Sequence, residues 1–149
     1  MNVNTGTDSF TINIERTVSA EYFSFTTSDA EYNVLCKIRS MPNSAYLLDN
    51  ADFALGIVTG NNKQYISDIK NENNEMILKG ADICKYHITR TNNYIVFKPE
   101  NFQQAAPTEM YRSPEKLLYR FISSQLVFAY DDKQTLSLNS CNIVRLKNN

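Results

Sequence analysis

The chain has 149 residues, of which 42% are hydrophobic and 21% charged, with a formal net charge of −1; that suits one domain with a core of its own. It holds no apolar run near the roughly 18 residues a spanning helix needs, no basic stretch leading into an apolar block at its start, and three well-separated cysteines without a CxxC pair. These features argue against a membrane span, a secretory leader and a disulfide framework, and point to reduced thiols in a cytoplasmic protein.

Charge is unevenly spread. Residues 1–78 carry 5 Lys/Arg against 10 Asp/Glu, and residues 79–149 carry 10 against 6. An acidic first half and a basic second half predict two surfaces of different potential. There are 18 asparagines, a side chain that favours turns and also reads adenine bidentately in the major groove.

In chain order, Phe10, Ile12 and Ile14 alternate with polar residues as a short strand. Ser28 and Glu31 make a capping box, and a helix over about 29–40 follows, burying Tyr32, Leu35, Cys36 and either Ile38 or the stem of Arg39 until Met41, Pro42 and Asn43 stop it. Residues 46–58 read as one or two strands leading into a turn at Thr59, Gly60, Asn61, Asn62 and Lys63. Residues 68–75 are a polar loop, and 76–83 a strand entering a turn. Tyr94, Ile95, Val96 and Phe97 form the best strand signal in the chain; it pairs with Tyr86, Ile88 and Arg90 as a hairpin through residues 91–93.

Ser113 and Pro114 then open a second helix over about 114–123. Leu117, Leu118, Phe121 and Ile122 form its apolar face, and Lys116 and Arg120 lie four apart on another. Residues 126–130 and 135–138 form an antiparallel hairpin around Asp131, Asp132, Lys133 and Gln134, with a last short strand near Ile143. The sum is an α+β fold, mostly antiparallel curved sheet with two main helices at about 29–40 and 114–123.

Enzymatic chemistry is hard to find. No phosphate-binding loop is present; His87 is the sole histidine, which argues against a zinc site and leaves any nucleophile only one candidate base. Asp131 and Asp132 read as turn residues. The positive signal is a repeated pairing of bases with amides and hydroxyls. A duplex binder needs Lys/Arg on phosphates and Arg, Lys, Asn or Thr at base edges.

Five segments in order resemble the C-terminal specificity domain of TaqI-like adenine-specific DNA methyltransferases and their fused restriction enzymes. Residues 56–66, GIVTGNNKQYI, look like the family's "GI-TG-N-K-aromatic-aliphatic" segment, and 78–86 resemble its "L-K-G-x-DI-x-x-Y". Tyr94 and Ile95 correspond to the next strand. Ala106, Pro107, Tyr111, the run from Pro114 to Leu118, Arg120 and Ile122 are similar to its "AP…Y…EKLL-R-I" helix. Asp131, Asp132 and the Leu138, Asn139, Ser140 triplet resemble its closing hairpin ending in "LNS". The likeness covers about residues 47–146.

That resemblance implies a DNA target-recognition domain over 31–149, with residues 1–30 ending a connection to a missing catalytic domain. Family members carry an S-adenosylmethionine motif and an Asn-Pro-Pro-Tyr/Phe motif upstream. Neither occurs here, and no Asn precedes a proline. The chain therefore resembles an excised specificity domain of a bacterial restriction–modification enzyme. It would be no enzyme by itself and have no cofactor of its own, S-adenosylmethionine belonging to the catalytic domain. Its expected partners are double-stranded DNA and that catalytic domain, with no membrane. Thr59, Asn61, Asn62 and Lys63, together with Arg90 and Asn92, are expected at base edges, and Arg112, Lys116, Arg120 and Lys133 on phosphates. The alternative is a protein–protein docking module without direct DNA contact, presenting Tyr22, Phe23 and Phe25. A hydrolase built on His87 is a third reading.

Overall fold

The computed structural model describes residues 1–4, 6–13, 16 and 27–147. Ile14 and the Tyr22, Phe23 and Phe25 cluster lie outside the described residues. The chain divides into two compact units, Met1–Tyr46 and Leu47–Asn149.

In the first unit, β1 (Asn2–Asn4) pairs antiparallel with β2 (Ser9–Thr11). The turn between them holds Gly6 at φ +89, with the Gly6 N–H donating to Asn4 Oδ1. Helix α1 (Asp29–Ser40) starts where the capping box predicts: Ser28 Oγ accepts from the Glu31 N–H, and Glu31 returns the bond to the Ser28 N–H. These bonds hold the Glu31 carboxyl below its usual pKa. The expected burial of its apolar face is not found. Tyr32 is half-buried under the Arg16 guanidinium, while Leu35, Cys36 and Ile38 are exposed.

The second unit holds the core. One antiparallel sheet has the order β10-β9-β12-β3, formed by β3 (Ala51–Ala54), β9 (Lys116–Arg120), β10 (Phe128–Asp131) and β12 (Cys141–Leu146). A second has the order β11-β5-β8-β4: β4 (Ile66–Ser67), β5 (Glu75–Leu78), β8 (Tyr94–Ile95) and β11 (Leu136–Ser137). Only the β11–β5 step in it is parallel. A small hairpin joins β6 (Ile83–Cys84) to β7 (His87–Ile88). Short helices α2 (Leu47–Asn50), α3 (Asn62–Tyr65) and α4 (Thr108–Tyr111) sit on the connections. Ile57, Ile77, Leu78, Ile83, Ile95, Tyr111, Leu118, Leu136 and Ile143 are fully buried, each aliphatic among them worth about 1.5–3 kcal/mol.

Three expectations need correction. The stretch at 114–123 contains strand β9, not a helix. The sequence pattern fits both periods, but β9 lies between two partners, Leu118 facing Ala129 on one side and Ile143 on the other; ladder bonds on both edges outweigh helix propensity. Ser113 accordingly caps nothing, and its hydroxyl donates to the Glu115 carbonyl. The hairpin through residues 91–93 is also absent: β7 turns back on β6, and β8 pairs with β4 and β5. Residues 126–138 form no hairpin either, because β10 pairs with β9 and β11 crosses to lie parallel to β5.

The Leu138, Asn139, Ser140 triplet is a structural clamp. Leu138 N–H donates to Leu78 O and Asn139 N–H to Ile57 O, at 2.8 and 3.0 Å. Gly80 N–H donates to Ser140 Oγ at 2.9 Å. Both flanking glycines are required by close approach: a Cβ on Gly56 would sit 2.1 Å from Leu138 O, and one on Gly80 2.5 Å from Ser140 O.

Candidate nucleic-acid interface

The turn at 59–63 is built from the inside out. Thr59 is buried, and its hydroxyl donates to Asn62 Oδ1 at 2.6 Å. Val58 and Gln104 exchange both backbone bonds. Gly60 takes φ +78 beside Gln103, where a side chain would be strained. The result projects Asn61 and Lys63 to the surface, where neither side chain has a partner. Lys98 lies at the same end of the β4–β8 ladder and is also exposed. Lys98 and Gln103 were not anticipated from sequence, because only the pairing of β4 with β8 and of Val58 with Gln104 brings them beside this turn.

Arg90 and Asn92 are exposed with free side chains at the other end of β8. Between them Thr91 is buried, and Asn93 donates to its hydroxyl and accepts from Lys79 Nζ. The ladder thus separates Arg90 and Asn92 from the 59–63 turn rather than gathering them into one cluster.

The cations expected on phosphates divide sharply. Lys133 is exposed, with only its backbone engaged. Lys116 is fully buried on the inward face of β9, and not on an exposed helix edge. Its ammonium donates to Asp131 Oδ2 at 2.5 Å and to Tyr111 O at 2.8 Å. Burial lowers its pKa, and Asp131 opposes that shift. Asp131 further accepts from the Thr135 N–H and hydroxyl, so each member of the pair has a hydrogen bond besides the one they share. Arg112 forms a bidentate pair with Glu75 at 2.6 and 2.7 Å, over the Phe97 ring, and this bond raises its pKa. Arg120 donates to the carbonyls of Gly80 and Ile83. All three are committed to holding elements together, a role invisible to a pattern that counts bases.

Asn61, Asn62, Lys63, Arg90, Asn92 and Lys133 are therefore the exposed members of the predicted set. Free Lys and Arg side chains beside free amides offer phosphate neutralisation and base-edge hydrogen bonding in the same surface regions. Among the described residues no group of His, Cys, Asp and Glu is arranged to hold a metal ion, and no helix is long and apolar enough to cross a membrane.

A comparison with curated proteins finds no match. A protein family does match, over residues 75–149. That stretch includes Arg90, Asn92, Arg112, Lys116, Arg120 and Lys133, while the 59–63 turn precedes it. With half the sequence so matched, the chain belongs to the TaqI-like C-terminal specificity domain family.

Proposed function

We propose that this chain is the sequence-recognition module of a bacterial, cytoplasmic restriction–modification enzyme that methylates adenine, with or without a fused endonuclease. Membership in the specificity-domain family is the observation that carries this reading. Methylating adenine requires taking the base out of the stack. A catalytic domain elsewhere in the parent would hold S-adenosylmethionine and the flipped base. A second domain must fix register on the duplex and read the neighbouring bases, and it performs no chemistry itself.

In this reading Asn61, Asn62, Lys63, Arg90 and Asn92 approach base edges, and Lys133 a phosphate. Thr59 orients Asn62. Arg112, Lys116 and Arg120 shape the scaffold. The unpartnered side chains of Asn61, Lys63, Arg90 and Asn92 support this division. The near-neutral net charge suits a module that leaves part of the phosphate grip to its parent.

Binding of the chain to a randomised duplex pool, titrated with salt and read out by sequencing, tests the proposal. Enrichment of a short motif with affinity falling steeply as salt rises is the expected result. No salt-sensitive binding would favour the second reading, a docking module; the exposed Val34, Leu35 and Ile38 on α1 are the observation behind it.

A further inference from the structure

We infer that two adjoining hairpin tips in the second unit form an apolar wedge that enters a base step of the bound duplex, an inference that rests on the DNA-recognition reading above. The connection from β9 to β10 exposes three large apolar side chains within six residues: Phe121 at 59%, Ile122 at 84% and Leu126 at 81%. The strand ends beneath them are fixed. Arg120 N–H donates to Val127 O, and Phe121 N–H to Ser140 O. The Arg120 guanidinium locks the same place to the Gly80 and Ile83 carbonyls. This is a stiff base with an apolar tip, not a frayed loop.

The β6–β7 tip lies beside it. Tyr86 is 83% exposed and sits at φ +69, a left-handed conformation that a bulky residue rarely adopts. Its N–H donates to Phe128 O at 2.8 Å, which pins this tip against the base of the other. A strained backbone that holds an aromatic ring out into solvent contributes nothing to the core; strain of this kind concentrates where a ligand is met.

Charge decides what kind of partner fits. Residues 83–90 and 119–130 contain no Asp or Glu. Lys85 and His87 are exposed beside Tyr86, and Ser123, Ser124 and Gln125 flank the apolar residues with hydroxyls and an amide. In a chain of net charge −1, this carboxylate-free end can approach phosphates without repulsion. Apolar side chains flanked by such groups are the arrangement that partially unstacks a base step and kinks a duplex. Loosening the stack also lowers the cost of extruding a neighbouring base.

The test uses the whole chain and the duplex enriched in the selection, with 2-aminopurine placed at successive positions. Wild type should raise the fluorescence several-fold at one step. Ile122→Ser combined with Phe121→Ser should abolish the rise and weaken binding about tenfold, the scale of a lost stacking contact. Leu126→Ser, at the β10 end of the tip and 81% exposed, is the second variant if the double one lowers the unfolding midpoint. Lys63→Ala should weaken binding yet keep the rise at saturating protein. Binding without a fluorescence change at any position, or a rise that survives both tip variants, overturns the wedge and leaves the recognition reading standing. Absence of salt-sensitive binding overturns both.

Discussion

Lys116 and Asp131 face each other across the β9–β10 ladder, side chains fully buried, with 2.5 Å between Nζ and Oδ2. A charge pair in such a place stabilises little relative to an apolar pair, but removing one partner strands the other. Lys116→Met alone should cost about 3–5 kcal/mol. Lys116→Met with Asp131→Asn keeps an acceptor for Thr135 and should recover at least about 1 kcal/mol of that loss. Urea unfolding of the two variants measures the difference; equal losses would refute the pairing.

The glycine clamp makes a harsher prediction. Gly56→Ala and Gly80→Ala each drive a methyl group into backbone carbonyls of the 138–141 segment. Backbone cannot rotate away as a side chain can, so each should cost about 3 kcal/mol or more. Gly6→Ala has open space but a positive φ, and should cost only about 1 kcal/mol. Thermal unfolding midpoints would rank the three.

Salt slopes separate surface cations from structural ones. Lys63→Ala, Arg90→Ala and Lys133→Ala should leave stability within about 0.5 kcal/mol of wild type. A residue on a phosphate should lower the salt dependence of binding by about one unit, and one at a base edge should relax sequence preference. Arg112→Ala and Arg120→Ala should instead destabilise the fold, since each abandons two acceptors. A full salt-slope change for Arg120→Ala in a stably folded protein would sink this partition.

Cys141 lies in the core, and burial pushes its thiol from the ordinary value near 9 up to about 12. The folded state then keeps its proton while the unfolded chain loses one, so this residue's contribution falls as pH rises above 9. The slope approaches about 1.4 kcal/mol per pH unit. Unfolding free energies of wild type should therefore decline relative to Cys141→Ala between pH 9 and 12. At pH 8, exposed Cys36 should react with a thiol reagent at once and Cys141 only on unfolding.

What sequence could disclose depended on how local the cause was. The α1 start was legible because Ser28 and Glu31 settle it between themselves. So was the turn at Gly60, where a single residue supplies the positive φ. Strand β9 was not: its residues satisfy a helical stripe, and only the partners of Leu118 that lie 11 and 25 residues onward, Ala129 and Ile143, decide otherwise. The site divided along the same line. Lys63 and Arg90 are exposed because their turns are local, whereas Lys116 is hidden by Asp131 and Arg120 by two carbonyls about 40 residues away. The family likeness read from motifs survived these local errors, since "LNS" and the two glycines mark a clamp that joins residues 56–57 and 78–80 to 138–140.

The pairing of Ala51 with Leu146 and of Ala54 with Ile143 also sets the terms on which this module can be exchanged. Strand β3 precedes the family-matched stretch, yet it forms one edge of the sheet whose next strand is β12. A hybrid enzyme spliced at residue 75 would marry a resident β3 to a foreign β12, with Arg145 seeking an Asp52 it did not evolve beside. On the recognition reading proposed above, specificity is transplantable only as a block running from β3 to the last strand, and chimaeras cut inside it should fail by misfolding before any DNA preference can be measured.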